Sequence, residues 1–419
     1  MKFFFPDSLD QIDPGFNFET ESRSPNRIRQ RDDLYAHEVF PNPPYDGLVV
    51  SKGIVDGVGI GTGKYSMPQR HRLLRVGARE FFRLDRIEHR KLQTMGDCGA
   101  FSYVKEEVPP YSVDDVLDFY EACGFDLGVS VDHVILGYDS SLDNILPNLD
   151  LIPPDWLNRQ NITLNLAEDF IIKHRTGRCQ FIPVGVAQGW SPASYAKAVS
   201  KLQSFGYHVI ALGGLVPLKT FEILDILGAV SRVRAHDTRF HLLGVTRCEN
   251  MHQFSKLGVA SFDSTSPLRQ AFMDDKDNYY GQDRTYRAIR VPQVDANPTL
   301  RRLIRRGEVD QQDAHNLEKR CLKVLNDFDK GKVGIEETLD LLWEYEALVS
   351  RQRPASLDYR EVLLEKPWLK CTCDVCRSIG INVIIFRGAE RNRRRGFHNL
   401  FVFYDKLKKG FSVESLVSS

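Results

Sequence analysis

Three cysteines lie close together near the carboxyl end of the sequence. They are Cys371, Cys373 and Cys376, and His398 follows after 21 intervening residues. Three thiolates and one imidazole make the four ligands of a closed tetrahedral zinc site. Because four protein ligands leave no position for water, the pattern predicts a structural Zn²⁺ and not a catalytic one.

Carboxylates and an amide follow short apolar stretches at several points of the chain. Paired carboxylates suit chemistry at the anomeric carbon of a sugar, because one can attack as a nucleophile while the other moves a proton. A serine hydrolase is not favoured, because the sequence has no G-x-S-x-G motif. The polar and glycine residues at these ends are Asp97, Asp132, Gln188, Gly213, Gly214 and Asp263.

The elements that must position these side chains alternate between strands and helices. Apolar residues at helical spacing predict helices over 192–205 and 218–227. Apolar, β-branched runs bounded by glycine or polar residues predict the strands between them. These predicted strands are 128–133, 181–188, 208–215, 240–245 and 258–263.

This alternation is typical of a parallel sheet with helical crossovers. We therefore expect an α/β fold, a (β/α)8 TIM barrel, with a doubly wound sheet as the alternative. In a barrel the carboxyl ends of the strands form a single mouth, where the polar side chains at the strand ends would converge.

Changes in composition predict four segments along the chain. Residues 1–49, rich in proline, aspartate and arginine, predict an irregular N-terminal extension, and 50–298 the barrel with its active site. Charged sequence with apolar residues at helical spacing predicts a helical insertion over 299–355. Residues 356–419 would form a C-terminal zinc-binding subdomain with an arginine-rich stretch.

Composition excludes several classes of protein. The 419 residues include 56 Lys+Arg and 56 Asp+Glu, so a globally polybasic nucleic-acid coat is excluded. No apolar run reaches the roughly 18 residues of a membrane span, and the N-terminus lacks the pattern of a signal peptide. We therefore expect a cytoplasmic protein whose eight cysteines are thiols or metal ligands.

A glycine-rich run precedes Lys64. Gly57, Gly59, Gly61 and Gly63 suggest a phosphate-binding loop, but their spacing is wrong and Tyr65 replaces the required Ser or Thr. We interpret these glycines as a tight turn or as a place where the backbone approaches a ligand closely.

Two arginine clusters interrupt the balanced charge. One is at residues 301–306, and the other contains Arg391, Arg393, Arg394 and Arg395. The second cluster has few nearby acids, and its density favours contacts with the phosphates of a nucleic acid.

Taken together, these motifs resemble the tRNA-guanine transglycosylase family. Asp97 in GDCGAF resembles the family's T-D-S-G-G-F-Q, and Asp263 in FDSTSPLR its F-D-x-x-x-P-x-R. Gln188-Gly189 resembles its V-Q-G, and GGL at 213–215 its G-G-L. CTCDVC with a later HNL resembles its zinc element. The similarity covers about residues 50–405 in the same order.

The resemblance implies a zinc-bearing TIM barrel that exchanges guanine in a polynucleotide for a 7-deazaguanine base. By position, it implies that Asp263 is the nucleophile attacking C1′ and Asp97 the general acid/base. The residues it implies for binding the base are Asp132, Gln188, Gly213 and Gly214, and Arg269 would contact the nucleic acid.

Departures from the pattern resemble the DNA-modifying branch of this family. Many bacterial tRNA enzymes have an acid soon after G-G-L, where this chain has Val216-Pro217-Leu218-Lys219. A neutral substituent, such as the nitrile of 7-cyano-7-deazaguanine (preQ0), fits this segment better than a cation. The opening MKFFFPDS and the lack of an appended RNA-binding domain are also similar to that branch.

We therefore expect DNA to be the polymer, with tRNA as the alternative. A non-catalytic nucleic-acid-binding subunit is a further alternative, although a scaffold has no need of both Asp97 and Asp263. The resemblance also implies partner proteins of a DNA modification system and a homodimer.

Overall fold

The computed structural model describes residues 1–57, 64–144, 151–349 and 356–415. Most of the glycine-rich run, including Gly59, Gly61 and Gly63, lies outside the described residues. Gly57 is described, and its left-handed backbone (φ 77°) ends a short helix.

Eight parallel strands form a closed barrel in sequence order. The first strand pairs with both the second and the eighth and so closes the sheet. The predicted (β/α)8 barrel is thus confirmed, and the doubly wound alternative is wrong. The barrel strands are β1 Lys2–Pro6, β2 Gly47–Ser51, β3 Gln93–Asp97, β4 Leu127–Val129, β5 Ile182–Ala187, β6 Val209–Leu212, β7 Arg239–Leu242 and β8 Val259–Asp263.

Apolar side chains fill the interior of the barrel. They come from six consecutive strands, as expected for parallel strands that are buried on both faces. Polar residues instead lie at the carboxyl ends of some of these strands, as Asp97 and Asp263 do. The buried cluster contains Phe4, Val49, Met95, Leu127, Val129, Val184, Val186 and Ala211.

Helices follow most strands of the barrel and continue through the rest of the chain. The first group is α1 Ala36–Val39, α2 Lys52–Asp56, α3 Met67–Phe81, α4 Val113–Cys123, α5 Pro154–Gly177, α6 Pro192–Phe205, α7 Thr220–Val233, α8 Met251–Lys256 and α9 Ser266–Met273. The second group is α10 Pro298–Arg305, α11 Gln311–Asp329, α12 Ile335–Ala347, α13 Ser356–Glu365, α14 Pro367–Lys370, α15 Asp374–Ile379 and α16 Gly388–Ser415. Short 3-10 helices lie at Ile87–His89, Ala100–Tyr103, Ser140–Asn144, Cys248–Asn250 and Gly380–Ile384.

Helix α6 shows why local sequence predicts some bounds well. Ser191 caps its start by accepting a hydrogen bond from the Ser194 backbone N–H, and a proline occupies the first turn. Gly206, in the left-handed conformation (φ 97°), ends it. Both signals are local, and the helix therefore has the bounds predicted from the sequence.

The chain divides into two compact units. The first contains the barrel and comprises Met1–Leu9, Tyr45–Thr265 and Leu407–Ser419, and the second comprises Asp10–Pro44 and Ser266–Lys406. In the second unit, β9 Tyr279–Tyr280 pairs with β10 Thr285–Tyr286, and β11 Ile289–Arg290 pairs with β12 Ile385–Phe386. No helix in the described part of the chain is long and apolar enough to cross a membrane.

Two predicted boundaries are wrong. Residues 1–49 are not an irregular extension, because β1 supplies a barrel strand whose Phe3, Phe4 and Phe5 are buried. The barrel does not extend to residue 298, because β8 ends at Asp263 and the second unit begins at Ser266. Helices α10 to α12 lie in the segment predicted to be helical over 299–355.

Candidate active site and metal centre

The carboxyl ends of the strands bring the predicted polar residues to the mouth of the barrel. Asp97 and Asp263 are the last residues of β3 and β8. Asp132, Gln188 and the Gly213-Gly214 pair follow β4, β5 and β6. Because parallel strands of a barrel end on one side, five separate segments contribute to one site.

Asp132 and Gln188 form a buried hydrogen-bonded pair. Gln188 Nε2 donates to Asp132 Oδ2 over 2.7 Å, and the Ile135 backbone N–H donates to Gln188 Oε1 over 3.2 Å. On the other side, Cys98 Sγ donates to Asp132 Oδ1 over 3.2 Å. Burial raises the pKa of Asp132 to about 6, although the hydrogen bonds from Gln188 and Cys98 oppose the shift. Asp132 is therefore mostly ionised at neutral pH.

Gly213 and Gly214 are required by the position of the Gln188 side chain. A Cβ on Gly213 would lie 2.2 Å from Gln188 Nε2, which is an impossible approach. A Cβ on Gly214 would lie 2.4 Å from the Ile135 carbonyl oxygen, and the φ of 74° at Gly214 also favours glycine. The glycine pair thus lets the backbone lie against Gln188.

The carboxyl group of Asp97 has a strongly shifted pKa. Burial, together with the nearby carboxylates of Asp132 and Asp263, raises the pKa of Asp97 to about 7. The Gly99 backbone N–H donates to Asp97 Oδ2 over 2.9 Å and opposes that shift. A carboxyl group with a pKa near 7 can both give and take a proton at neutral pH.

Asp263 is held by groups from the neighbouring strand and its loop. His241 Nε2 and the Gly244 backbone N–H each lie 3.1 Å from Asp263 Oδ1 and donate to it. On the far side of the ring, His241 Nδ1 lies 2.8 Å from Ser261 Oγ. Asp263 is 8% exposed, and the His241 ring is completely buried.

Sequence reasoning missed His241. The residue stands inside the predicted strand 240–245, where alternation alone predicts an inward side chain. The signal that would have found it is the pairing of β7 with β8, in which His241 lies opposite Ser261. That register could not be read from either strand by itself.

The four predicted metal ligands meet in the second unit. The three Sγ atoms of Cys371, Cys373 and Cys376 and the Nδ1 of His398 all lie within 4.8 Å of one another. His398 Nδ1 is 3.5, 3.4 and 3.3 Å from the three sulfurs in that order. These separations suit four ligands around one tetrahedral ion. The cluster can therefore hold a metal ion such as zinc.

Neighbouring tyrosines orient the histidine of this cluster. His398 Nε2 lies 2.8 Å from the Tyr280 carbonyl oxygen, which can only accept, so Nε2 carries the hydrogen and Nδ1 presents its lone pair. The Tyr279 ring stacks on the His398 ring at 4.1 Å between centroids. The ring of His398 is therefore oriented so that Nδ1 can serve as a metal ligand.

The predicted phosphate contacts of the second arginine cluster are wrong for its buried members. Arg391, Arg394 and Arg395 are 2%, 6% and 0% exposed. Arg395 donates to the carbonyl oxygens of Ala271, Val383 and Ile385 over distances of 2.6 to 3.2 Å. These guanidinium groups satisfy buried protein oxygens, so they are not available to phosphates.

Acids and carbonyls of the N-terminal segment 10–44 account for the other arginines. Arg391 pairs with Glu21, and Arg394 donates to the Asp13 carbonyl oxygen over 2.6 Å. Half-buried Arg393 donates to the Gln11 carbonyl oxygen over 3.2 Å. Charge density did not reveal these partners, because they lie more than 360 residues away in sequence.

Exposed arginines lie elsewhere in the second unit. Arg269 on α9 is exposed, as are Arg301, Arg302 and Arg305 on α10 and Arg306 at its end. Arg306, which follows α10, forms an ion pair with Glu308 at 3.7 Å. Helix α10 therefore presents three exposed arginines to a polyanion.

The closed barrel thus carries several carboxylates at the ends of its strands, and a separate Cys3His cluster lies in the second unit. No family model matches the chain. A DNA-guanine transglycosylase of Salmonella montevideo is 49% identical to it over 419 residues, which is 99% of this chain and 98% of that protein. The chain belongs to the DNA-modifying branch of the tRNA-guanine transglycosylase family, and it is a guanine transglycosylase.

Proposed function

We propose that the protein exchanges guanine in DNA for a 7-deazaguanine base through a covalent bond between Asp263 and the deoxyribose. The observation that carries the proposal is the environment of Asp97 and Asp263. Asp97 has a pKa of about 7, whereas hydrogen bonds to one oxygen of Asp263 hold that carboxylate at the mouth of the barrel. One group is suited to moving a proton and the other to attack.

In the first displacement, Asp263 attacks C1′ of the target nucleotide. A carboxylate electron pair forms the bond to C1′ while the C1′–N9 bond breaks and its electrons leave with guanine. Asp97 supplies the proton that neutralises the departing base. Because the ester at Asp263 no longer carries a charge, one of the causes that raise the pKa of Asp97 is removed.

In the second displacement, N9 of the 7-deazaguanine attacks C1′ from the face that guanine left. The C1′–oxygen bond breaks, and its electrons return to the Asp263 carboxylate. Asp97, now ionised, takes the proton from N9 of the incoming base. Two inversions restore the original configuration of the sugar.

Asp132 and Gln188 are proposed to bind the edge that the two bases share. Guanine and 7-deazaguanine have the same N–H donors on the six-membered ring, and an ionised Asp132 accepts hydrogen bonds from them. The Gly214 backbone is proposed to contact the same edge of the base, since no side chain separates this backbone from Gln188. The site would therefore bind leaving and incoming bases alike.

Discrimination between guanine and the incoming base must then depend on the substituent at position 7 of the incoming base. The segment after Gly214 offers Val216, which is 54% exposed, and it offers no carboxylate before Lys219. A cationic aminomethyl group would lack a partner there, whereas a neutral nitrile needs none. We therefore propose 7-cyano-7-deazaguanine (preQ0) as the incoming base.

The Cys3His cluster is proposed to hold a structural Zn²⁺. Cys371, Cys373, Cys376 and His398 would fill a tetrahedral shell and leave no position for substrate. When bound, the ion supplies cross-linking between α14, α15 and α16, and no step of the base exchange depends on it.

DNA is proposed as the polymer because the named relative acts on DNA and because exposed arginines are available. Arg269, Arg301, Arg302 and Arg305 are exposed and can contact phosphates of a polynucleotide. The target base must leave the duplex to reach a strand-end carboxylate, which costs a few kcal/mol. Phosphate contacts offset that cost.

The direct experiment is nucleoside analysis after incubation. The full-length protein is mixed with preQ0 and either DNA or tRNA, and the digested polymers are analysed by mass spectrometry. A modified deoxyribonucleoside is expected with wild type and is expected to be absent with Asp263→Asn. A modified ribonucleoside alone would favour the tRNA enzyme, and no product from either polymer would favour the non-catalytic subunit.

A further inference from the structure

A buried hydrogen-bonded chain beside Asp263 holds one of the two oxygens of this carboxylate. Its members are Ser261 and Asp263 of β8 and His241 of β7, together with the Gly244 backbone N–H. Alternation puts Ser261 and Asp263 on the same face of β8, and the strand register puts His241 opposite Ser261. The ring therefore lies beside both β8 side chains.

The chemistry of the partners assigns the hydrogens of the imidazole. An ionised carboxylate can only accept, so His241 Nε2 carries a hydrogen and donates it to Asp263 Oδ1 over 3.1 Å. On the other side of the ring, His241 Nδ1 lies 2.8 Å from the Ser261 hydroxyl. The Phe4 ring packs edge-on against the imidazole at 5.9 Å between centroids and limits its rotation.

The two oxygens of Asp263 are therefore not equivalent. Oδ1 accepts from His241 and from the Gly244 backbone N–H. In the described part of the chain, no hydrogen bond is made to Oδ2. The side chain nevertheless keeps 12% of its surface accessible, so the oxygen without a donor is the one available to an electrophile.

We propose that His241 is a positioning residue that makes Oδ2 the attacking oxygen of Asp263 and stabilises the carboxylate when it leaves C1′. This inference rests on the proposed covalent mechanism. In the intermediate, Oδ2 is bonded to C1′ and Oδ1 is the ester carbonyl oxygen. When the incoming base attacks C1′, the bonding electrons return to the carboxylate, and the negative charge is shared with Oδ1.

Hydrogen bonds to Oδ1 are strongest at that moment, because the charge on this oxygen grows as the ester breaks. The same donors slightly weaken attack in the first displacement, since they stabilise the free carboxylate. His241 therefore acts mainly on release of the covalent complex. A histidine that only filled space in the barrel would affect stability and leave the rate of release unchanged.

The test separates formation of the covalent complex from its release. Full-length protein is incubated with a labelled single-stranded DNA library of mixed sequence, without free base, and the complex is detected on a denaturing gel. Free guanine is then added, because reversal of the first displacement needs no knowledge of the deazaguanine. Wild type is compared with His241→Phe, which keeps an aromatic ring without a donor, and with His241→Gln, which keeps a donor near Nε2.

We expect guanine to release the His241→Phe complex about 10- to 100-fold more slowly than the wild-type complex. His241→Gln should recover most of the rate, and the KM for guanine should change less than kcat. Ser261→Ala leaves the bond to Asp263 in place and should slow release only a few-fold. This variant provides the comparison if His241→Phe fails to fold.

Two results would contradict different claims. If wild type forms no covalent complex, the proposed covalent function fails. If the complex forms and all folded variants release it at the wild-type rate, or if His241→Gln is as slow as a folded His241→Phe, the inference about His241 is wrong while the proposed function stands.

Discussion

Gln188 Nε2 donates a 2.7 Å hydrogen bond to Asp132 Oδ2, and both side chains are almost completely buried. This bond joins the ends of β4 and β5 and fixes the orientation of both groups. Cys98 Sγ donates to the other Asp132 oxygen over 3.2 Å, and the Tyr103 hydroxyl donates to Cys98 Sγ over 3.1 Å. The carboxylate is thus held on both sides before a base arrives.

The first prediction concerns this arrangement. Asp132→Asn replaces an acceptor with a donor, so it should leave a guanine N–H unpaired and lower kcat/KM for the incoming base by about 100-fold, or roughly 3 kcal/mol. Cys98→Ser keeps a donor to Asp132 and should lower it by less than about fivefold. Exchange of labelled guanine measures both, and equal losses in the two variants would contradict the assigned role.

The second prediction concerns pH. Formation of the covalent complex requires protonated Asp97, with a pKa of about 7, and ionised Asp132, with a pKa of about 6. The rate should therefore be greatest between these values and fall on both sides, by about tenfold for each pH unit well above 7. Single-turnover formation on a denaturing gel, measured from pH 5 to 9, tests this.

Asp97→Asn is the control for the alkaline limb. An amide does not titrate in this range, so the residual rate should lose its fall above pH 7 and keep the fall below pH 6. If the rate of this variant still fell above pH 7, the fall would be caused by titration of a group other than Asp97.

The third prediction concerns metal removal. Dialysis against a strong chelator should lower the melting temperature, because the ligands of the Cys3His cluster lose the ion that cross-links them. Addition of Zn²⁺ should restore it. Cys373→Ser should bind less than one equivalent of metal, whereas Cys179→Ser, at a cysteine outside the cluster, should bind as wild type does. Metal analysis and calorimetry provide the readouts.

The fourth prediction separates exposed from buried arginines. Replacing Arg301 and Arg302 by alanine should weaken DNA binding and reduce the slope of log K against log salt by about 2, if each contacts one phosphate. Fluorescence anisotropy over a salt series measures the slope.

Arg395→Met is the matched control. It removes a buried cation whose hydrogen bonds go to protein carbonyl oxygens, so it should lower the stability by about 3 kcal/mol and leave the salt slope of the folded fraction unchanged. If the salt slope were reduced in this variant and unchanged in the α10 variant, the arginine cluster at 391–395 would contact phosphates, as the sequence first suggested.

Local sequence signals were sufficient where the responsible interactions are local. The strand runs ending at Gln188 and Asp263 and the caps of α6 depend on neighbours within a few residues. The Cys3His cluster was also predictable, because three of its ligands lie within six residues. The barrel itself followed from the repeated alternation of strands and helices.

Distant pairings account for what sequence reasoning missed. The apolar run at Phe3 to Phe5 is a barrel strand only because β2 and β8 lie on either side of it. His241 becomes important only through the register of β7 with β8. The buried arginines depend on the acids of segment 10–44, and no spacing rule connects the two.

Closure of the barrel by β1 has a consequence for biosynthesis. Lys2 pairs with Ser261, so β1, the first of the eight barrel strands to be made, keeps an open edge until β8 has been made. Folding of the second unit is completed later still, because Glu21 binds Arg387, which follows all eight barrel strands in the sequence. The nascent chain therefore exposes unpaired backbone for an extended time, and a chaperone that shields it should raise the yield of native enzyme.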